Sequence, residues 1–583
     1  MREVSSAPVF STISDSNVDE DEGRRSSRVA VSLSAVVDRV RGYRKRIFIV
    51  SLSLGVIFGF MALVGLLKVS TPSGEFADLI CGQRRFNLKE IQHYSKKSEN
   101  LIAVNFGGWL CLEDWFFSGA VGRYVSTPNV LKRGQGACLP PLVSGPLDKP
   151  WASEGGLVAE LERKHGSDFA AQALKAHRES YINETDFKQL KTLGIKSVRI
   201  PLTWAMFADA LKDLAPELYG KHNPETDTVI VPDPYYVHEI KYATVPRQWL
   251  KERLLDASAQ DLEVVLDLHT MPGGSSDGTY SGVWPLQPVF WYENAKVGTR
   301  NISLQEVGIM LNVALIKWVE SLGDLLAKGT IRGVALINEP GHLSAFAGHS
   351  WCTEKDVLDF VDKYADLFRK SSLPSRGVRL YVQLIETAFD QFNKTVPDWY
   401  HRSFSAEERS TWAVMARHFY TAWNGHCNGL IEAGGAFQCD APMGQIKEIL
   451  DKCVTSYAKG FIKLFPSDLR AVTEWSLGTH YDANMACTRA DVLREVFEAH
   501  VNGFALLNDR LIEPFFWTWR MPFAPKFEPG WSLKFFSGFS GQEIYSDGRC
   551  VVGDWASESP LKHLALLDAA AVWPPNSSSE SVV

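Results

Sequence analysis

The stretch "IRGVALINEPGH", residues 331–342, admits two readings. An apolar run stops abruptly at Asn338, Glu339 and Pro340. Either Glu339 ends a buried strand, where an α/β barrel gathers its functional groups, or it opens a helix, where proline and the helix dipole favour it. Ten or so residues cannot separate these readings, and the rest of the chain has to.

Seven further runs share the pattern: "LIAVNFGGWL" (101–110), "KSVRIPLTW" (196–204), "LEVVLDLH" (262–269), "RLYVQLIETAF" (379–389), "TWAVMARHFYTAW" (411–423), "LRAVTEWSLG" (469–478) and "PFFWTWRM" (514–521). Near-continuous apolar runs are what parallel strands covered on both faces require. Helical patterns alternate with them. In "TEKDVLDFVDKYADLFRK", Val357, Phe360, Val361, Tyr364, Leu367 and Phe368 fall on one stripe, and Thr353 with Asp356 has the spacing of a capping box. Eight strands alternating with helices predict a (β/α)8 TIM barrel over residues 99–572. Its extra length falls in long loops after strands, at 205–245, 270–300, 341–352 and 423–448.

The chain has 583 residues, a net charge of -7 and 11% aromatic residues. With no basic stripe and no RNA-reading motif, nucleic acid is not an expected partner. Residues 47–67, "IFIVSLSLGVIFGFMALVGLL", carry no charge and as a helix would span about 30 Å, enough for a bilayer core. Arg39, Arg41, Arg44, Lys45 and Arg46 precede this stretch and only Lys68 follows closely. The positive-inside rule then makes it a single-pass type II signal anchor, with the barrel luminal or extracellular. Residues 1–46 read as a disordered cytosolic tail, 68–98 as a stalk and 573–583 as a Ser/Pro-rich tail. All nine cysteines and the sequons at Asn183, Asn301, Asn393 and Asn576 follow the anchor. Disulfides are therefore expected, Cys427 with Cys439 being one plausible pair and Cys111 the candidate free thiol.

A barrel brings the C-terminal ends of its strands to one mouth. Glu113 follows the first strand, Arg199 lies on the second and His269 on the third. Asn338 and Glu339 close the fourth and Glu386 the fifth. His418 and Tyr420 close the sixth, Glu474 the seventh, and Trp517 and Trp519 the eighth. Each has a plainer reading alone: Arg199 as a structural ion-pair partner, His269 as a satisfied core histidine, the tryptophans as barrel closers. Together, in order, they form a costly set to bury without a purpose. Two carboxylates are the minimum for glycoside hydrolysis, one as acid and one, in a retaining enzyme, as nucleophile. Glu339 and Glu474 are predicted to face each other, with Arg199 and Tyr420 placed to keep a nucleophile ionised.

These residues resemble glycoside hydrolase family 5, in particular its exo-β-1,3-glucanase branch. The resemblance runs from about 100 to 540 through "NFGGWLCLEDW" (105–115), "LKTLGIKSVRIPLTW" (190–204), "DLHTMPGG" (267–274) and "LINEP" (336–340). It continues through "ETAFDQF" (386–392), "RHFYTAW" (417–423), "TEWSLG" (473–478) and "FFWTWR" (515–520) with "EPGWS" (528–532). It implies Glu339 as acid/base and Glu474 as nucleophile of a retaining enzyme that needs neither metal nor cofactor. It implies a sugar site of Glu113, Arg199, His269, Asn338, His418, Tyr420, Trp517, Trp423 and Phe389. The sequence departs from the branch at Gly278 and Thr279, where Phe and Asp are usual, at Trp423 for Phe, and at Ala416 for Asp. The expected function is hydrolysis of β-glucan, exo-acting on β-1,3 links. Alternatives left open are a β-glucosidase acting on a glycolipid or β-1,6-glucan, and a membrane-anchored carbohydrate-binding protein without turnover.

Overall fold

The computed structural model describes residues 102–113, 116, 151–298, 300–341, 353–384, 392–422, 439–479, 487, 489–507, 510–521 and 528–537. The expected anchor at 47–67, the expected tails and stalk, and Glu386, Phe389 and Trp423 lie outside them. No helix among the described residues is long and apolar enough to cross a membrane.

Ten strands follow in chain order. They are β1 (Ala103–Asn105), β2 (Ser197–Leu202), β3 (Ile230–Pro232), β4 (Lys241–Ala243), β5 (Glu263–Leu268), β6 (Ile331–Ala335), β7 (Arg379–Gln383), β8 (Ala413–Phe419), β9 (Leu469–Trp475) and β10 (Leu511–Phe516). Eight of them close a barrel in the order β1-β10-β9-β8-β7-β6-β5-β2, with every pairing parallel. β3 and β4 form an antiparallel hairpin inside the long loop after β2. The eight apolar runs of the sequence are the eight barrel strands, because a strand buried on both faces has no polar side to show.

Alternation along the strands sorts side chains into layers. Ala103, Val265, Ala335, Tyr381, Val414, Ala416, Ala471 and Phe515 pack together as one interior cluster. Their outward neighbours, among them Val104, Val264, Leu266, Val382, Met415, Val472 and Phe516, join the larger core shared with the surrounding helices. The helix Glu354–Lys370 is capped as expected: the Thr353 side chain accepts from Asp356 N–H, and the Asp356 carboxylate accepts from Thr353 N–H at 2.8 Å. Val357, Phe360, Val361, Tyr364 and Phe368 are its buried stripe.

The cysteines correct one expectation. Cys439 is bonded to Cys487, with Cα atoms 5.4 Å apart, and not to Cys427. Cys439 leads into the helix Met443–Leu464 and Cys487 into the helix Ala490–Ala505, and these two helices pack side by side. Neighbours in space, rather than in a short loop, are what the bond joins. Cys453 is also disulfide-bonded, while Cys111 is a free, buried thiol as expected.

Candidate active site

Arg199, near the middle of β2, is fully buried and organises the mouth of the barrel. Its Nη1 donates to Glu474 Oε1 and to Asn105 Oδ1, both at 2.8 Å. Its Nη2 donates to Asn338 Oδ1 at 2.7 Å, Asp267 Oδ2 at 2.9 Å and Gln383 Oε1 at 3.2 Å. Burial alone would lower its pKa, but Asp267 and Glu474 outweigh burial and raise it. The guanidinium is therefore a fixed positive charge.

Glu474 faces this charge because β9 carries one extra residue. Arg417 on β8 pairs with Val472, and the next residue, His418, pairs with Glu474, so Thr473 is left over. β10 registers the same irregularity, with Pro514 opposite Val472 and Phe516 opposite Trp475. Such a β-bulge re-aims the side chains that follow it. Regular alternation from the inward Ala471 would turn Thr473 and Trp475 inward. Instead Trp475 joins the outer core and Glu474 meets Arg199.

The second Glu474 oxygen, Oε2, accepts from the Tyr420 hydroxyl at 2.6 Å. Burial first, then the charges of Glu474 and Glu339, push the Tyr420 phenol well above its usual range, so it stays a donor. His418 Nδ1 contacts Glu339 Oε1 and lies 3.4 Å from Glu474 Oε2. One ligand atom each of Glu339, His418 and Glu474 lie within 4.8 Å of one another. Of the described residues these three could together hold a metal ion, although both Glu474 oxygens already have donors.

Glu339 is not in a helix. Residues 336–341 form bends and a turn, and Glu339 has φ 38, a left-handed value uncommon outside glycine. The helix-opening reading of "INEP" is thus replaced by a strained turn that presents the carboxylate to the mouth.

The remaining expected residues divide. His269 Nδ1 lies 2.7 Å from Asp267 Oδ2, and its ring stacks on Trp517 with centroids 5.6 Å apart. Its Nε2 is buried and has no partner among the described residues. Trp517 can reach this place because position 107 is glycine: a Cβ there would lie 2.9 Å from the indole. Glu113 Oε2 accepts from Thr279 Oγ1 at 2.8 Å. Trp519, by contrast, is not a site residue. It is fully buried and its indole donates to Asp186 Oδ1 at 2.7 Å, beside Lys534, as part of the framework.

Sequence reasoning passed over Asn105, Asp267 and Gln383, all bonded to Arg199. The signal for Asp267 was present: in "VVLDLH", Val265, Asp267 and His269 share one face. A carboxylate on the inward face of a buried strand needs a partner.

No family model matches the chain. The chain is similar to glucan 1,3-beta-glucosidase 1 of Schizosaccharomyces pombe, 26% identical over 243 residues, which are 42% of this chain and 44% of that protein. A probable glucan 1,3-beta-glucosidase A of Neosartorya fischeri is 24% identical over 457 residues, covering 74% of this chain and 84% of the relative. The chain spans less than half the length of the first relatives it matches. Among solved structures, a rutinosidase from Aspergillus niger is 15% identical, with a TM-score of 0.45 over 76% of this chain and 97% of that one. The resemblance to the exo-β-1,3-glucanase-like branch of glycoside hydrolase family 5, carried by the strand-end motifs, agrees with the relatives found.

Proposed function

We propose that the chain is a retaining β-glucosidase that removes glucose from the ends of β-1,3-glucan. The observation that carries this reading is the pair Glu339 and Glu474. Their oxygens come within 4.8 Å of each other and only Glu474 is clamped by Arg199 and Tyr420. Retaining enzymes hold their two carboxyl groups about 5–5.5 Å apart, and inverting ones leave room for a water.

Glu339 in its acid form protonates the glycosidic oxygen while the Glu474 carboxylate attacks the anomeric carbon. The bond to the leaving sugar breaks and a glucosyl ester of Glu474 forms. Water then attacks the same carbon, giving its proton to Glu339, and Glu474 leaves as carboxylate. Arg199 and Tyr420 offset the negative charge on Glu474 before the first step and after the second. His269, Glu113 and Trp517 hold the sugar through hydroxyl contacts and a flat apolar face. Exo action and the β-1,3 link follow the glucan 1,3-beta-glucosidases that the chain resembles. Residues 47–67 anchor the enzyme in a membrane with the barrel on the oxidising side, a placement supported by the Cys439–Cys487 bond.

The test is the full chain assayed on laminarin, a panel of glucan linkages and aryl β-glucosides. Glucose as sole product, released first as the β-anomer, is expected. A ladder of oligosaccharides overturns exo action, and initial α-glucose overturns retention. Binding without turnover favours the carbohydrate-binding alternative. Protease protection of the barrel in sealed membranes tests the topology.

A further inference from the structure

The loop that follows β5 is stitched to the turn carrying Glu339. The Ser276 hydroxyl donates to the Glu339 carbonyl. Gly341 N–H donates to the Ser275 carbonyl at 3.1 Å, and the Trp291 indole donates to the same carbonyl at 2.9 Å. The chain then bends sharply at Gly278, where a Cβ would lie 2.0 Å from Tyr280 Cε1. Only glycine leaves room there, so the Tyr280 ring can fold back and set itself edge-on to His269, with centroids 6.1 Å apart at 68°. The preceding residue, Thr279, is the one bonded to Glu113. One short segment therefore reaches both a sugar-site carboxylate and the turn of the acid/base.

The Tyr280 hydroxyl is buried and makes no well-formed hydrogen bond, although Ser276 and Glu339 are within its reach. Burial, then the negative charges of Glu339 and Asp277, push its phenol well above the usual range. It is a donor without a committed acceptor, and buried polar groups rarely stay so without a use. Among the described residues, Glu339 is met by His418 on β8, and the charges acting on Tyr420 and Tyr280 beside it include Glu474 on β9, Arg199 on β2 and Asp277 from this loop. His418 already meets one Glu339 oxygen.

Resting on the retaining mechanism above, we propose that Tyr280 is a positioning residue for Glu339: its hydroxyl donates to the Glu339 carboxylate whenever that group is ionised, holding it in line for the proton it takes from water in the second step. In the first step Glu339 carries its own proton and the hydroxyl is released. A hydrogen bond to the charged form favours that form. Without it Glu339 stays protonated to higher pH and is a less well-aimed base.

Tyr280→Phe removes one oxygen and keeps the ring, so the packing against His269 persists. The full-length variant is compared with wild type on aryl β-glucosides of graded leaving-group ability. With an activated leaving group kcat reports the second step, and kcat/KM reports the first, which needs little acid assistance. Expected with the activated leaving group are a fall in kcat of about tenfold and a change in kcat/KM below about threefold; with the least activated one, whose first step needs the acid, the basic limb of the kcat/KM profile moves up by about half a pH unit or more. Equal losses in both constants with the limb in place would mean a merely structural role and overturn the proposal. A wild-type protein that turns over no β-glucoside would instead remove the mechanism on which the proposal rests.

Discussion

Glu474 and Glu513 are buried to nearly the same degree, 5% and 4% exposed, at opposite ends of one barrel. Glu474 has a donor on each oxygen and a guanidinium against it. Glu513, low on β10, has an Oε2 with no partner among the described residues. Burial pushes its pKa up to about 7, and the charge of Glu263 adds to that, while Arg332 and Arg379 only partly compensate. The contrast separates burial from function. Burial without enough donors makes a carboxylate hold its proton, as at Glu513, whereas at Glu474 the donors are in place before any ligand arrives.

Substitutions at the two ends of the barrel test this contrast. The largest effect is expected from Glu474→Gln, which keeps shape and removes the nucleophile proposed above. Turnover of laminarin should fall by about four orders of magnitude or more, and wild-type turnover would sink the assignment. Next comes Arg199→Met, which strips two carboxylates of their shared cation. Breaking a buried pair from one side costs about 3–5 kcal/mol, so chemical denaturation should register a loss of that order along with the activity. Tyr420→Phe is smaller. Removing one hydrogen bond to a charged group is worth about 1.5–3 kcal/mol, or a kcat lowered roughly 10- to 100-fold, with the fold intact by circular dichroism.

The smallest effect belongs to the other end of the barrel. The folded pKa of Glu513, about 7, lies above its ordinary value of 4.5. Its contribution to stability is thus fully present below about pH 4.5 and is lost as pH rises through about 7. Glu513→Gln should match wild type near pH 4.5 and become the more stable protein by pH 8, by no more than about 3 kcal/mol. The difference in thermal midpoint between the two proteins at each pH isolates this term from other titrating groups. A constant difference across that range would show that Glu513 is not protonated in the fold.

The architecture was legible because eight apolar runs, each long enough for a strand covered on both faces, admit few arrangements other than a closed parallel barrel. Glu339 and Glu474 were legible for a related reason, as charges that interrupt such runs at their ends. What escaped lay inside the strands or beyond them. Asn105, Asp267 and Gln383 are inward-facing polar residues whose purpose is visible only once Arg199 is seen to reach them all. Trp519 shares the period-2 phase of Trp517, but β10 ends at Phe516 and the chain turns its second indole towards Asp186. The partner of Cys439 depends on two helices packing side by side, which cysteine spacing does not encode.

The surplus residue in β9 has a consequence for anyone who edits this protein. Removing Thr473 would leave the barrel its strands, its helices and most of its apolar core. It would also restore regular alternation, with Glu474 following Val472 directly and still opposite His418, so the carboxylate keeps the inward face. Inserting one residue after Thr473 does the opposite and turns the carboxylate outward, because what faces Arg199 is specified by phase as well as by identity.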